Sequence, residues 1–454
     1  MPVFALDVGF EGLASLEASD NVLGADSPNE EDGSIQSLVL GVFGEQKSRR
    51  VSAAFQGELD TQKTNTDDDS NIDSIGRFLG AAEFKLTPRS WTWYVGDILG
   101  GVRVDDAIQP IDDNEITRRN VFVTGPAFEY DVQGISRTNA RVLYVNQTED
   151  GEALETFFIA DARHERDLTS RSSYGVTVGN IFTKVSSDDD DDEFQTADED
   201  FNRVSLSAFF NQRIGFLSLF AELGGTRFDT DRDSVTGFNA ELRATQELGP
   251  QTSFSVFVQR DLNDQALSAT ESLLQSGNAA VGVALDASGI FTETRIGAEF
   301  NYQAVDTTVA LSAGFADIDF EVLTGDAADA IIVDGEDRQQ GFANATWSQR
   351  LSQRLRSELG VSYETQDFTA SFRPDNSESV LLRAQLFYSL TRSFALELGY
   401  TLDNASGLRT LTNGGVQTED DIDVTENRLL VGLRWAPPSR ASQELTVELR
   451  SLLQ

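Results

Sequence analysis

Residues 50–60 read RVSAAFQGELD. Val51, Ala53, Phe55, Gly57 and Leu59 alternate with Arg50, Ser52, Ala54, Gln56, Glu58 and Asp60. In an extended chain, successive side chains point to opposite faces, so this stretch predicts a strand with one apolar and one polar face. The same alternation recurs along the chain. Leu355, Leu359, Val361 and Tyr363 oppose Arg354, Arg356, Glu358, Ser362 and Glu364. Leu429, Val431, Leu433 and Trp435 oppose Arg428, Gly432 and Arg434. Phe238, Ala240 and Leu242 oppose Glu241 and Arg243, and Ile296, Ala298, Phe300 and Tyr302 oppose Arg295 and Glu299. Phe394, Leu396, Leu398 and Tyr400 oppose Glu397 and Thr401. Helical spacing is confined to 266–274 (ALSATESLL), read as one short helix in a loop.

The predicted strands are roughly 10–14 residues long, against about 5–6 in soluble sheets. A tilted membrane-crossing strand needs about 9–11. About 20 such segments fit the chain, with 277–320 the least defined, holding two or three of them. Short polar turns are expected at 45–48, 88–90, 134–137, 211–215, 249–251, 352–354 and 391–393. Long polar loops are expected at 19–33, 63–74, 105–117, 186–200, 323–337 and 403–425. Tight turns on one rim and long loops on the other are the plan of an outer-membrane barrel. The predicted fold is therefore all-β: a transmembrane antiparallel up-and-down barrel of about 18–22 strands, with short periplasmic turns and long acidic extracellular loops. Residues 1–436 form that barrel and 437–454 a C-terminal tail or extra strand. No internal repeat points to a propeller or solenoid.

Composition agrees by exclusion. The 454 residues carry 35 Lys+Arg against 75 Asp+Glu, a net charge of −40. That charge excludes nucleic acid as a partner, since phosphate binding needs a basic face. With no Cys, disulfides, thiolate catalysis and Cys-ligated metals are excluded. No apolar run of ~18 residues exists, so no transmembrane helix is expected.

The candidate lumen lining is the charged set opposite the apolar face: Arg50, Glu58, Arg77, Glu83, Glu241, Arg243, Arg295, Glu299, Arg354, Arg356, Glu358, Arg383, Glu397, Arg428 and Arg434. Each would cost about 2–4 kcal/mol against lipid near the midplane, so they line something polar. Both signs occur, which reads as a nearly balanced wall closed by ion pairs or as a solute path. Trp91, Trp93, Tyr94, Tyr130, Trp347, Tyr400 and Trp435 fall near strand ends, where interfacial girdles are expected. A sugar-stacking platform is the rival reading of these aromatics. Asp188, Asp189, Asp190, Asp191 and Asp192 form the densest acidic run, a solvated loop or a site for loosely bound divalent cations. Asp229, Asp231 and Asp233 lack the Gly and Glu that complete an EF-hand loop. The single histidine, His164, has no accompanying nucleophile motif, and no enzyme signature or resident cofactor is found.

Four segments carry a resemblance: 18–32 (ASDNVLGADSPNEED), 87–100 (TPRSWTWYVGDILG), 120–128 (NVFVTGPAF) and 426–435 (ENRLLVGLRW). They resemble the early Asp-Asn loop, the Pro and Trp strand, the Gly-Pro strand and the closing strand of a family of outer-membrane β-barrels. These barrels are encoded beside exopolysaccharide and exosortase systems. The resemblance implies a Gram-negative outer-membrane protein tied to polysaccharide export, with lipopolysaccharide and outer-membrane lipid around it. Polysaccharide and periplasmic export proteins are the further partners it implies. It carries over no catalytic residue. The chain starts in strand pattern (MPVFALDVGF) without a signal peptide, which is expected to have been removed. Rival readings are a general diffusion porin, a structural or adhesion barrel with a closed lumen, and a soluble acidic all-β protein.

Overall fold

The computed structural model describes residues 7–22, 32–66, 70–87, 90–103, 116–132, 135–149, 152–185, 200–230, 234–264, 290–321, 337–368, 376–413 and 416–435. Among them the only regular elements are twenty strands. The first ten are β1 Asp7–Ser19, β2 Gly33–Lys47, β3 Val51–Asn65, β4 Ser70–Thr87, β5 Trp91–Arg103, β6 Ile116–Val132, β7 Ser136–Glu149, β8 Glu152–Thr169, β9 Ser172–Val185 and β10 Phe201–Ile214. The second ten are β11 Leu217–Thr230, β12 Ser234–Gly249, β13 Thr252–Asp264, β14 Ile290–Gln303, β15 Thr307–Glu321, β16 Arg338–Arg350, β17 Leu355–Phe368, β18 Asn376–Ser389, β19 Phe394–Asn413 and β20 Val416–Trp435. Each strand pairs antiparallel with its neighbours in sequence, and β1 also pairs with β20. The sheet is closed, an outer-membrane-type barrel with no free edge. The segment 266–274 and the tail 437–454 lie outside the described residues.

Every connection after an even-numbered strand is two to four residues long, and all the long ones lie on the opposite rim. Several boundaries differ from the sequence reading. The turns fall at 48–50, 133–135 and 215–216, and 170–171 and 304–306 are two further short turns. Arg50 and Arg354 sit in turns instead of on strand faces. The predicted loop 63–74 shrinks to 66–69, and 403–425 is mostly strand, with β19 and β20 each 20 residues long.

Paired residues share a face, so the register assigns every side chain to the outside or the inside. Exposed apolar side chains mark the outside. They start at the short-turn rim and rise for about nine residues: Leu359, Val361 and Tyr363 on β17, above half-buried Leu355 at the strand start, or Trp435, Leu433, Val431 and Leu429 on β20. Nine residues at ~3.4 Å rise and ~40° tilt span ~23 Å, close to the apolar band of a transmembrane barrel. Above that belt the outer face turns polar, as at Arg227, Asp229, Thr236 and Asp317.

Glycine and phenylalanine, 36 and 30 residues of the chain, are used together. Gly9 is directly opposite Phe43, Gly44 opposite Phe55, Gly175 opposite Phe209, Gly297 opposite Phe257 and Gly314 opposite Phe342. In each pair the ring lies flat against the neighbouring strand where a side chain would stand. A Cβ on Gly297 or Gly314 would meet the ring at 2.6 Å. This arrangement is an aromatic covering of strand glycines. It explains how Phe43 and Phe209, on the inner face, are only 3% exposed. Two of the rings carry an arginine on their other face: Arg163 lies 3.7 Å above Phe209, and Arg243 4.8 Å above Phe257. Phe209→Ala removes the middle of one such stack. Its expected cost is about 3 kcal/mol, read as a lower guanidinium midpoint in reconstituted bilayers, with Phe209→Leu costing less than half of that.

Candidate functional site

The inner wall carries the chemistry. Glu58, Arg77, Glu83, Glu241, Arg243, Arg295, Glu299, Arg356, Glu358, Arg383, Glu397, Arg428 and Arg434 all lie on the face opposite the exposed apolar belt. Most of them meet as ion pairs, which one strand's pattern alone does not reveal. Along single strands the pairs are Arg243–Glu241 at 3.0 Å, Arg295–Glu293 at 2.6 Å, Arg356–Glu358 at 3.0 Å, Lys85–Glu83 at 3.8 Å and Arg428–Glu426. Between strands they are Arg77–Glu58 at 3.5 Å, Arg141–Asp161 at 2.6 Å, Arg243–Glu299 at 3.7 Å and Arg434–Glu397 at 3.2 Å. Most of these side chains are partly solvated, so each pair contributes about 0–1 kcal/mol. Glu397 and Glu426 are the exceptions, with side chains 5% exposed.

The wall is less uniform than the sequence reading of a nearly balanced polar lining. Charges are balanced over β4–β18, but the strands that close the barrel are acid-rich. There Glu397, Asp403, Glu426, Glu11, Glu17, Glu45, Glu58 and Asp60 face inward against Lys47, Arg428 and Arg434. Two facets are apolar. One joins Val121, Val123, Val145 and Phe157 with Ile98, Leu143, Ile159 and Ile181 across β5–β9. The other joins Phe201, Phe228, Leu262 and Ile290. It forms because β13 leaves β12 beyond the pair Ala240 and Arg260 and leans over the inner face. Arg203 Nη2 of β10 donates to Asn263 Oδ1 of β13 at 3.0 Å, three strands away, and holds that lean.

Over β15–β18 the wall has a different character. A cavity of about 420 Å³ is lined by Thr308, Asn344, Thr346, Ser348, Ser362 and Arg383, among others. None of these side chains has a hydrogen bond or a close ion pair among the described residues, and Arg383 has only the more distant Asp403 carboxylate facing it. Gly360, at the floor, leaves the space above it open.

Tyr94 is a correction. It pairs with Glu83 and faces inward, whereas Trp91 and Trp93 face out. Period two separates them, since Tyr94 follows Trp93 by one residue. Tyr130, Trp347 and Trp435 lie on the outer face near the short turns. Tyr400 lies higher on that face, where its hydroxyl donates to Asn427 Oδ1 at 2.6 Å. His164 also faces out and shares a 2.8 Å hydrogen bond with Thr138. Asp188, Asp189, Asp190, Asp191 and Asp192 lie outside the described residues. Among the described residues, no group of three or more metal-ligating side chains is gathered.

This architecture is that of an outer-membrane β-barrel. No protein-family model matches the sequence, and no curated protein matches it. Solved structures do. The FrpB iron transporter of Neisseria meningitidis (F3-3 variant) superposes with a TM-score of 0.52 at 9% identity, over 95% of this chain and 81% of that one. The siderophore receptor PirA of Acinetobacter baumannii gives 0.52 at 9% identity, over 94% and 80%. At such identity the likeness speaks for the fold.

Proposed function

We propose that the protein is a passive outer-membrane conduit for exopolysaccharide. The observation that carries this reading is the β15–β18 wall: neutral hydroxyl and amide groups without internal hydrogen bonds, flanked by Glu358 and by Arg383, which has no close ion pair. Such groups suit a polyhydroxylated chain, because each contact is a weak hydrogen bond that forms and breaks as the chain advances. An anionic sugar would meet Arg383 as well. No covalent step is involved. The resemblance of 18–32, 120–128 and 426–435 to barrels of polysaccharide export systems supports the same assignment.

The test is conductance in planar bilayers with acidic oligosaccharides added on the short-turn side. Wild type is expected to conduct and to be blocked in a concentration-dependent way. Thr346→Val with Ser362→Ala should weaken that block about tenfold, or roughly 1.4 kcal/mol, with the open conductance kept. High conductance without any block would make the protein a general diffusion porin. No conductance at all would make it a closed structural barrel.

A further inference from the structure

The two rims differ in charge far more than barrel geometry requires. The nine short turns together hold six arginines and one carboxylate, Asp306. The connections of the other rim hold 33 Asp and Glu against two arginines. Among the described turn residues, Arg49, Arg50, Arg171, Arg354 and Arg392 are exposed and make no ion pair. Arg50 and Arg354, which period two places on the lumen face, belong to this ring instead.

The same turns carry large apolar side chains at their tips. Phe216 is 68% exposed and Val305 90%, and Ile135, Leu351 and Leu390 are also exposed. In water these tips would gain nothing by being presented. At most hairpins the apolar belt starts within one or two residues of the turn, as at Leu86, Trp91, Ile214, Leu248, Tyr388 and Phe394. Polar Ser136 and Arg166 beside the 133–135 turn are the exception, so most of these tips sit close to lipid. Apolar tips interleaved with guanidiniums describe a rim lodged in a headgroup layer, with the tips toward acyl chains and the arginines level with phosphates. Guanidinium forks match phosphate oxygens in pairs.

We propose that the short-turn rim is a docking surface for anionic phospholipid, which it gathers from the periplasmic leaflet. The acidic rim repels the same lipids, so the asymmetry also sets which way the barrel sits. This inference does not depend on what passes through the lumen.

The experiment uses the full chain in nanodiscs made from equal parts phosphatidylglycerol and phosphatidylcholine, followed by detergent extraction and quantification of the lipid that stays bound. Wild type should retain phosphatidylglycerol at least threefold over phosphatidylcholine, with the ratio falling toward one in 0.5 M salt as charges are screened. The quintuple variant R49Q, R50Q, R171Q, R354Q and R392Q changes no strand and should retain both lipids equally. Its folding is checked by the fast gel migration of unheated protein. Inorganic phosphate added at constant ionic strength should not displace the lipid, which separates a headgroup layer from a free-anion site. Equal retention by wild type, or an unchanged preference in the folded quintuple variant, overturns the proposal. So does displacement by free phosphate.

Discussion

Gly125→Val is expected to abolish assembly of the barrel, and Gly125→Ala to cost about 4 kcal/mol or more. Gly125 and Pro126 interrupt the pairing of β6 with β7, whose register resumes on either side at Thr124–Tyr144 and Ala127–Arg141. Pro126 offers no N–H to the ladder, and the facing strand moves in. A Cβ on Gly125 would overlap the backbone carbonyl of Val142 and lie 2.9 Å from the Leu143 Cα. Neither obstacle is a side chain that could rotate away. The informative control is Gly360, where a Cβ would meet nothing within 4 Å. Gly360→Ala should leave stability within about 0.5 kcal/mol of wild type or raise it slightly. The folded fraction on unheated gels and the guanidinium midpoint read both variants. Comparable losses at the two glycines would refute the backbone-clash account.

The second large effect is at the seam. β1 and β20 share only eight residue pairs, where β1 and β2 share thirteen. Side chains compensate. Ser19 Oγ donates to Glu426 Oε1 at 2.7 Å. The backbone and side-chain nitrogens of Asn427 donate to the two carboxylate oxygens of Asp20, each at 2.7 Å. Asn21 Nδ2 donates to the Thr425 carbonyl at 3.3 Å. Glu426 also pairs with Arg428, so Glu426→Ala removes the nearest carboxylate from a partly buried guanidinium, leaving it the more distant Glu17 and Asp403, and strands the Ser19 hydroxyl. The expected cost is about 3 kcal/mol, and about 2 kcal/mol for Asn427→Ala. Glu426→Gln keeps an acceptor for Ser19 and should lose less than Glu426→Ala. The readout is the temperature at which the compact gel form is lost. If Glu426→Ala melts with wild type, the seam is held by its backbone ladder alone.

Much of the fold is legible from alternation, because a belt facing lipid and a wall facing water impose opposite demands on neighbouring residues. The limits of that signal follow from the same physics. Above the belt both faces are wet, so β19 and β20 lose contrast and 403–425 reads as a loop. Where both faces are apolar, as at Phe157, Phe158 and Ile159, a strand reads as a run with no lumen side. Arg50 and Arg354 continue the alternation by one residue past the strand end, which places turn residues on the wall. The glycine and phenylalanine pairs were invisible, since their meaning lies in register across strands. Of the segments that carry the resemblance, 18–32 and 426–435 supply the two halves of the seam clasp, while 120–128 contains the Gly125 approach. Sequence alone offered no reason to join them.

The closed order of the strands has a consequence for how the chain assembles. Nineteen of the twenty pairings join sequence neighbours through local hairpins, and the last one joins residues as far apart as Ser19 and Glu426. Closing a flexible loop of that length before the intervening hairpins form would cost about 5 kcal/mol of chain entropy. The final event is therefore the meeting of the two ends. Until it happens β1 and β20 are open edges, templates for any strand offered to them. A clasp of charged and amide groups at that junction favours the chain's own partner over a stranger's.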